Sequence, residues 1–279
     1  MQHHNERNFE GLSFIKMHGL GNDFMIIDAR TSGLTIKSDM IKLLAHRNFG
    51  VGFDQLAILY ASDRTEVLGK LRFWNADGSE SPTCGNATRC VAGFLIDEGH
   101  QREITLATPN SDLKCKSLGN GIISVNMGQP QVHWSQIPLS LECDTNHLPL
   151  HGDPIATNIG NPHCTFFVEN ISSVDIKNYA RFETDKLFPD RTNVQIAEIV
   201  ENGKIKARVW ERGVGITLAS GSSACAVASA AFRRGYTGKT NKIIMEGGEL
   251  DVSLKEDGVW MAGQIARVYD GVIAEGFFS

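Results

Sequence analysis

The stretch WNADGSESPTCGNATRC (residues 74–90) decides the organisation of the chain. Residues 71–74 read as a strand, the polar run with Gly78 and Pro82 as a loop, and residues 87–96 as a buried apolar helix. Cys84 is therefore expected at the start of that helix. Unpaired backbone N–H groups and the positive end of the helix dipole lie there, and they favour a thiolate and can bind a carboxylate.

The same arrangement recurs in the second half of the chain. Trp74 precedes Cys84 by ten residues, and Trp210 precedes Ser220 by the same ten. A glycine ends each predicted helix fifteen residues after the cysteine or serine, namely Gly99 and Gly235. This spacing indicates an internal repeat rather than a chance match.

Polar landmarks upstream of the two helices repeat as well. Asn22 and Asn161 each follow a glycine, and Gln55 and Gln195 follow these asparagines by 33 and 34 residues. The recurrence favours Asn22 and Asn161 as side chains that face a site. In the second half, Asn193 is as good a candidate as Gln195.

These repeats predict a fold of the α/β (α+β) class, built from two copies of one unit. We expect one domain at residues 1–128, with residues 267–279 as a segment that returns to it, and a second domain at residues 129–266. The crossing is placed near Gly128 because prolines at positions 130, 138, 149 and 154 interrupt regular structure there.

Composition excludes several classes of function. A net charge of −5 and a pI near 6.0, with scattered basic residues, predict no nucleic-acid partner. No apolar run is long enough for a membrane helix, and the polar residues 1–11 predict a loose tail. Six cysteines without a Cys-x-x-Cys pair predict reduced thiols in a cytoplasm and no metal site.

Two further helices have specific sequence predictions. Ser38 is expected to cap a helix that continues to about residue 48. The second repeat helix is placed at residues 220–234, and its packing face is predicted to consist of Ala224, Val227, Ala228, Ala231 and Phe232. Residues 175–182 also read as helical.

Two helix starts that flank one small molecule would suit inversion of an amino acid's α-carbon. That reaction needs a base on one face of the carbon and an acid on the other, while backbone amides hold the carboxylate. Cys84 would remove or supply the proton. His163 and Glu211 are the titratable candidates for orienting or ionising the thiols.

Five segments resemble the diaminopimelate epimerase family: MHGLGNDF (17–24), NADGSE (75–80), CGN (84–86), GNPH (160–163) and ERGVGIT (211–217). The resemblance implies a cofactor-independent isomerase of lysine and peptidoglycan biosynthesis that converts LL-diaminopimelate to the meso form. It also implies a homodimer of chains with two pseudo-symmetric domains, each a sheet wrapped around a central helix. No cofactor is expected, and the partner is a small diamino-dicarboxylate.

The resemblance also assigns a set of substrate residues. Backbone amides of Gly85 with Asn86, and of Gly221 with Ser222, would hold the carboxylate at the reacting carbon. The side chains implied to line the pocket are Asn22, Gln55, Asn75, Asn161, Asn193, Glu211 and Arg212.

One position departs from the family pattern. The second motif of the family reads Ala-Cys-Gly, whereas this chain has Ala219-Ser220-Gly221. A serine hydroxyl is far less acidic than a thiol, so Ser220 is expected to be a poor acid or base toward carbon. Three explanations of this serine are open. It could be a replacement that traps substrate, or a natural variant that uses water or Ser220 itself as the second acid or base. The protein could instead catalyse a one-base reaction such as a dehydration.

Other classes of function remain open at this point. A hydrolase could use Cys84 with His163 as a nucleophilic pair. The chain could also be an inactive amino-acid-binding homologue, because Ser220 removes the second thiol, or a racemase for a different amino acid. Arg212 favours a ligand with a second carboxylate.

Overall fold

The computed structural model describes residues 11–278, so most of the predicted tail at residues 1–11 lies outside the described part. The chain divides into two compact units. Unit 1 holds the described residues up to Ile123 and those from Gln264 onward, and unit 2 is Ser124–Gly263. The sequence analysis placed the crossing near Gly128 and the returning segment from residue 267.

Unit 1 contains two α-helices and a set of strands, which are numbered along the chain. The helices are α1 (Ser38–Ala45) and α2 (Gly85–Asp97). The strands are β1 (Ser13–Gly19), β2 (Asn22–Asp28), β3 (Gln55–Tyr60), β4 (Gly69–Asn75), β5 (Glu80–Ser81), β6 (Glu103–Ala107), β7 (Asp112–Gly119) and β17 (Ala266–Val272). Strand β8 (Ile122–Asn126) contains the boundary between the units.

The strands of unit 1 form one mixed sheet. Strand β1 pairs antiparallel with β17 and with β2, and β2 pairs parallel with β3. Strand β3 then pairs antiparallel with β4, which pairs antiparallel with β5 and parallel with β6. Strand β7 completes the sheet beside β6. The sheet is therefore continuous from the last described strand to β7.

Helix α2 is the centre of unit 1. Every residue from Gly85 to Leu95 is buried, and the helix contacts β1, β2, β3, β6 and β7. A helix that is buried all round must be apolar or must satisfy its polar groups internally. The sheet thus wraps around α2, as the family resemblance implied.

Unit 2 repeats this plan. Its strands are β9 (Ile155–Asn158), β10 (Pro162–Phe167), β11 (Asn193–Glu201), β12 (Lys204–Glu211), β13 (Gly215–Thr217), β14 (Thr240–Met245), β15 (Gly248–Lys255) and β16 (Gly258–Gln264, of which Gln264 belongs to unit 1). Its helices are α3 (Gly221–Arg233) and 3-10 helices at Trp134–Gln136, Ile171–Ser173 and Ile176–Thr184.

The pairing pattern of unit 2 matches that of unit 1 strand by strand. Strands β9 and β10 are antiparallel, β10 and β11 parallel, and β11 and β12 antiparallel. Strand β12 pairs antiparallel with β13 and parallel with β14, which continues through β15 to β16. Residues 223–231 of α3 are all buried, so this sheet also surrounds its helix. The predicted fold class is confirmed.

Strand register corrects one equivalence between the repeats. Trp74 lies opposite Leu56, and Trp210 lies opposite Val194. The residue before Leu56 is Gln55 and the residue before Val194 is Asn193, so Asn193 takes the place of Gln55. The prediction from the Gln-x-Ala pattern, which matched Gln55 to Gln195, was therefore wrong by two residues.

Both repeat helices end in the same way. After α2, the N–H groups of Gly99 and His100 bond to the carbonyl groups of Ile96 and Leu95. After α3, the equivalent bonds join Gly235 to Phe232 and Tyr236 to Ala231. Both glycines have positive φ, 95° and 70°, as this helix-ending motif requires. The repeat therefore extends to hydrogen-bond detail.

Two smaller sequence predictions were wrong. Ser38 is the first residue of α1 rather than its cap, since Lys37 holds the cap position and α1 ends at Ala45. Phe232 is exposed, whereas Ala224, Val227, Ala228 and Ala231 are buried as predicted. The error has a physical cause, because Phe232 lies in the last turn of α3, beyond the continuously buried residues 223–231.

No helix within residues 11–278 combines the length and the apolar character needed to cross a membrane.

The glycines that end the two helices generate a stability prediction. Gly99→Ala and Gly235→Ala should each lower the free energy of unfolding by about 1 kcal/mol, because a side chain disfavours positive φ. No described atom lies within 4 Å of the position a Cβ would take at either glycine, so steric clash adds nothing. Urea unfolding measures the change, and unchanged stability in both variants would contradict the assigned backbone conformation.

Candidate active site

Cys84 is the N-cap residue of α2. Its backbone is extended (φ −150°, ψ 103°), and its Sγ accepts a hydrogen bond of 3.4 Å from the N–H of Ala87. Its carbonyl oxygen accepts from the N–H and the hydroxyl of Thr88. The sulfur therefore lies where an N–H donor and the helix dipole both stabilise negative charge. The sequence prediction of a helix start at Cys84 is confirmed.

The cap leaves two backbone donors at this helix start. The N–H groups of Ala87 and Thr88 are used by Cys84 itself. Those of Gly85 and Asn86 lie in the first turn, where no carbonyl group of the helix can accept from them. Adjacent backbone amides at a helix start are an arrangement that commonly binds anions such as carboxylates.

The other thiols have different surroundings. Burial raises the pKa of Cys90 to about 12 and that of Cys115 to about 12, and it raises the pKa of Cys164 well above its ordinary value. Cys225 is also fully buried, within α3. Cys84 is only half-buried. It is thus the better candidate for chemistry than these four.

Ser220 occupies the equivalent N-cap position of α3. Its backbone is extended (φ −140°, ψ 122°), and its carbonyl oxygen accepts from the N–H of Ala224 at 3.0 Å. Its hydroxyl makes no capping hydrogen bond to the described residues of the helix. The N–H groups of Gly221 and Ser222 lie in the first turn, as Gly85 and Asn86 do in α2.

Asn22 and Asn86 are joined in unit 1. The Asn86 side-chain amide donates to Asn22 Oδ1 at 3.1 Å, and the Asn22 amide donates to Asp54 Oδ2 at 2.9 Å. Asp54 also accepts from the backbone N–H of Asp23 and from Arg47. A carboxylate that the sequence reasoning did not consider thus anchors one predicted substrate residue.

Gln55 and Asn75 form a second pair in unit 1. The Gln55 amide donates to Asn75 Oδ1 at 2.8 Å, and the Asn75 amide donates to Ser79 Oγ at 3.0 Å. The two residues also lie opposite each other in strands β3 and β4. Both side chains remain half-buried.

His163 lies in a fully buried polar network in unit 2. Its Nδ1 accepts from the Gln195 amide at 3.0 Å, and its Nε2 donates to Asn161 Oδ1 at 2.8 Å. Gln195 Oε1 also accepts a hydrogen bond from the Thr165 hydroxyl, and Gln195 Nε2 donates to Ser223 Oγ. The network occupies the oxygen of the Asn161 amide and thereby fixes which way this amide points.

Burial lowers the pKa of His163 from 6.5 to about 3, and the charge of Arg212 acts in the same direction. The imidazole is therefore neutral at pH 7. The sequence analysis proposed His163 to orient or ionise a thiol, and its buried neutral ring suits orientation of neighbouring groups.

Asn193 holds the loop that carries Arg212. Its amide donates to the Pro162 carbonyl at 2.9 Å, and its Oδ1 accepts from the Arg212 N–H at 3.0 Å. Arg212 Nη1 donates to the carbonyl of Asp190. Glu211, at the end of β12, lies opposite Gly215 of β13 and is half-buried.

Glu183 supports the same loop from beneath. Its carboxylate accepts from the N–H of Gly213 at 2.8 Å and from the indole N–H of Trp210 at 2.7 Å. The sequence analysis missed this residue, because nothing in the pattern near position 183 distinguishes it from a surface glutamate. Its burial becomes visible only once the 3-10 helix Ile176–Thr184 packs against β12.

The amino-acid sequence matches a known protein family along most of its length. The family model described as diaminopimelate epimerase matches residues 14–133 and 155–268. The chain belongs to the diaminopimelate epimerase family. The resemblance stated from the sequence is confirmed.

Relatives of this family match along nearly the whole chain. The diaminopimelate epimerase of Gluconobacter oxydans is 43% identical over 264 residues, which is 94% of this chain and 99% of the relative. That of Rhodospirillum centenum is 40% identical over 268 residues, 94% and 92% of the two chains.

Solved structures agree at the level of the fold. A phenazine biosynthesis protein of the PhzF family from Bacillus anthracis has a TM-score of 0.68 at 15% identity, covering 93% of this chain and 98% of its own. At this identity the likeness concerns the fold alone.

The residues implied by the family fall into local groups. In unit 1, Asn22 and Asn86 share one network and Gln55 and Asn75 another, and Asp54 precedes Gln55 in the chain. In unit 2, Asn161 belongs with His163, whereas Asn193 belongs with the Arg212 loop. Gln195 and Asn193 are both buried, so the strand register, rather than burial, favours Asn193 as the counterpart of Gln55.

The perturbed histidine generates a pH prediction. Its pKa is lower in the folded state than the ordinary 6.5, so its contribution to stability is complete above pH 6.5 and is lost as pH falls toward 3. The free energy of unfolding should therefore fall by up to about 1.4 kcal/mol per pH unit in this window from this group alone.

His163→Gln keeps a donor and an acceptor but cannot titrate, so its pH dependence should be shallower than that of the unaltered protein. Urea unfolding between pH 7 and pH 4 measures this difference. His147→Gln is the matched control, because His147 is exposed. Equal slopes for the unaltered protein and His163→Gln would contradict the assignment.

Proposed function

We propose that the protein acts on LL-diaminopimelate and forms meso-diaminopimelate by proton transfer at the α-carbon, without a cofactor. Family membership and full-length relatives named diaminopimelate epimerase support this activity. The observation that carries the mechanism is the thiol of Cys84 at the N-terminus of α2, hydrogen-bonded to the Ala87 N–H.

The chemistry begins with Cys84 as a thiolate that takes the α-proton. The electron pair left on carbon spreads into the adjacent carboxylate, which then carries more negative charge than in the ground state. The N–H groups of Gly85 and Asn86 stabilise that charge because they point at it before the reaction begins. The same thiol returns a proton when the opposite enantiomer is bound.

Asparagine and glutamine side chains supply recognition in this proposal. Asn22, Gln55, Asn75, Asn161 and Asn193 contribute amides, and Glu211 and Arg212 contribute charge. Arg212 suits the second carboxylate of diaminopimelate, since a guanidinium binds a carboxylate through paired donors. His163 keeps Asn161 oriented and takes no proton from substrate.

Ser220 determines how far the reaction proceeds. From the family resemblance, we assign it to the position of the second acid or base, beside the Gly221 and Ser222 amides. A hydroxyl there exchanges protons with carbon far more slowly than a thiol would. The protein should therefore exchange the α-proton through Cys84 faster than it inverts the carbon.

We also propose a cytoplasmic homodimer, as the family resemblance implies. Strand β17 carries the exposed apolar side chains of Val268, Tyr269 and Val272, which supply a surface suited to a second copy of the chain.

Replacing Ser220 by cysteine tests the role of this position. Ser220→Cys should raise the rate of LL-diaminopimelate inversion about 10²- to 10⁴-fold, the usual effect of a positioned acid or base. Circular dichroism of the substrate or chiral chromatography measures the inversion. A cysteine variant that gains little would show that two thiols do not explain this chain, and would favour a one-base reaction.

Solvent deuterium exchange tests Cys84 separately. In D₂O the protein should place deuterium on the α-carbon of diaminopimelate, and Cys84→Ala should slow this by about 10²- to 10⁴-fold. Cys90→Ala is the matched control, because that thiol is buried on the same helix and should leave exchange unchanged.

The same experiment separates the alternatives. Binding of diaminopimelate without any exchange would indicate an amino-acid-binding homologue. An acyl group found on Cys84 by mass spectrometry would indicate a hydrolase instead.

A further inference from the structure

Arg89 reaches the start of α2 from inside the fold. Its side chain is fully buried, with Nη2 donating to Asn86 Oδ1 at 2.9 Å and Nη1 donating to the Gln264 carbonyl at 3.1 Å. A Cβ at position 19 would lie 2.9 Å from Nη2, so Gly19 leaves the guanidinium its space. Burying a guanidinium costs desolvation free energy, which hydrogen bonds to fixed acceptors offset.

A chain of hydrogen bonds leads from Arg89 to the surface. Arg89 donates to Asn86 Oδ1, Asn86 Nδ2 donates to Asn22 Oδ1, and Asn22 Nδ2 donates to Asp54 Oδ2. A guanidinium can only donate and a carboxylate can only accept. The two ends therefore determine which way each amide between them points.

Reversing the amides would break the chain at both ends. A turned Asn86 would place its NH₂ group against the guanidinium, and a turned Asn22 would place its oxygen against the Asp54 carboxylate. Arg47 holds the other oxygen of Asp54 at 2.8 Å, so the carboxylate is itself fixed. Neither amide can turn alone without losing a bond to its neighbour.

We propose that Arg89 and Asp54 are positioning residues that lock the amides of Asn22 and Asn86 with their oxygens occupied by protein donors, which leaves one N–H on each for the ligand. This inference rests on the proposed function, which places both asparagines in the substrate site. Donors at that position select a ligand oxygen, such as a substrate carboxylate, over an ammonium group.

A double-mutant cycle tests the lock. The variants are Arg89→Met, Asp54→Asn and Asn22→Ala, singly and with Asn22→Ala combined with each of the others. The readouts are KM and kcat for deuterium exchange into LL-diaminopimelate and its Kd by calorimetry. Arg89→Met and Asp54→Asn should each raise KM about 10-fold with kcat within about twofold, because a misplaced amide weakens binding.

Coupling to Asn22 is the decisive result. With Asn22 already replaced by alanine, Asp54→Asn should change KM and Kd by less than about twofold, since its effect passes through that amide. Arg89→Met should then keep only the part of its effect that passes through Asn86, to which Arg89 donates directly. Arg89→Lys, which can still donate to Asn86, should recover part of the loss. If the effects of Asp54→Asn and Asn22→Ala on KM simply multiply in the double variant, the proposal is overturned. It is also overturned if Arg89→Met and Asp54→Asn alter only the melting temperature.

A control variant separates loss of stability from loss of substrate binding. Arg233→Met removes a comparable arginine on α3, which bonds to Thr145, Thr157 and the Ala156 carbonyl. It should lower the melting temperature without changing KM. If Arg89→Met does not fold, the exposed Asp54 decides the question through its own cycle.

A protein that binds diaminopimelate without exchange refutes the activity, and the cycle in Kd still decides the lock. A protein that does not bind diaminopimelate refutes both.

Discussion

The unsatisfied backbone N–H groups at the start of α2 are the constraint on which the rest of the site depends. Cys84 uses two of them for its own sulfur and carbonyl, through Ala87 and Thr88, and leaves those of Gly85 and Asn86 for a ligand. Wrapping a sheet around α2 removes the helix from water, so these groups have few alternatives. In the proposed mechanism, the buried helix thus supplies the carboxylate site beside the thiol.

Units 1 and 2 share their backbone arrangement but differ in the side chains that support the predicted site residues. Strand pairing and the glycine-based helix ends are equivalent in the two units. The support behind each asparagine differs, with a guanidinium chain behind Asn22 and a neutral histidine behind Asn161. In both, the amide oxygen is occupied by a protein donor, so two chemically different supports produce the same orientation.

Much of the fold was predictable from short stretches of sequence. The repeated Trp, Cys or Ser, and Gly spacings and the helix start at Cys84 can each be read without knowing which strands pair. The Gln55 equivalence failed because strand register depends on pairing with β4 and β12, which a Gln-x-Ala pattern does not contain. Arg89, Asp54 and Glu183 were missed for a related reason. Asp54 and Glu183 act on residues far along the chain, namely Asn22 for Asp54 and Trp210 with Gly213 for Glu183. Arg89 acts on the nearby Asn86, and its only local signal was an arginine within an apolar helix.

A crystal structure with LL-diaminopimelate bound tests the central claim most directly. The account predicts the substrate α-carbon about 3–3.5 Å from Cys84 Sγ, with its carboxylate on the N–H groups of Gly85 and Asn86. A substrate carboxylate bound away from this helix start, with no carbon near the sulfur, would contradict it.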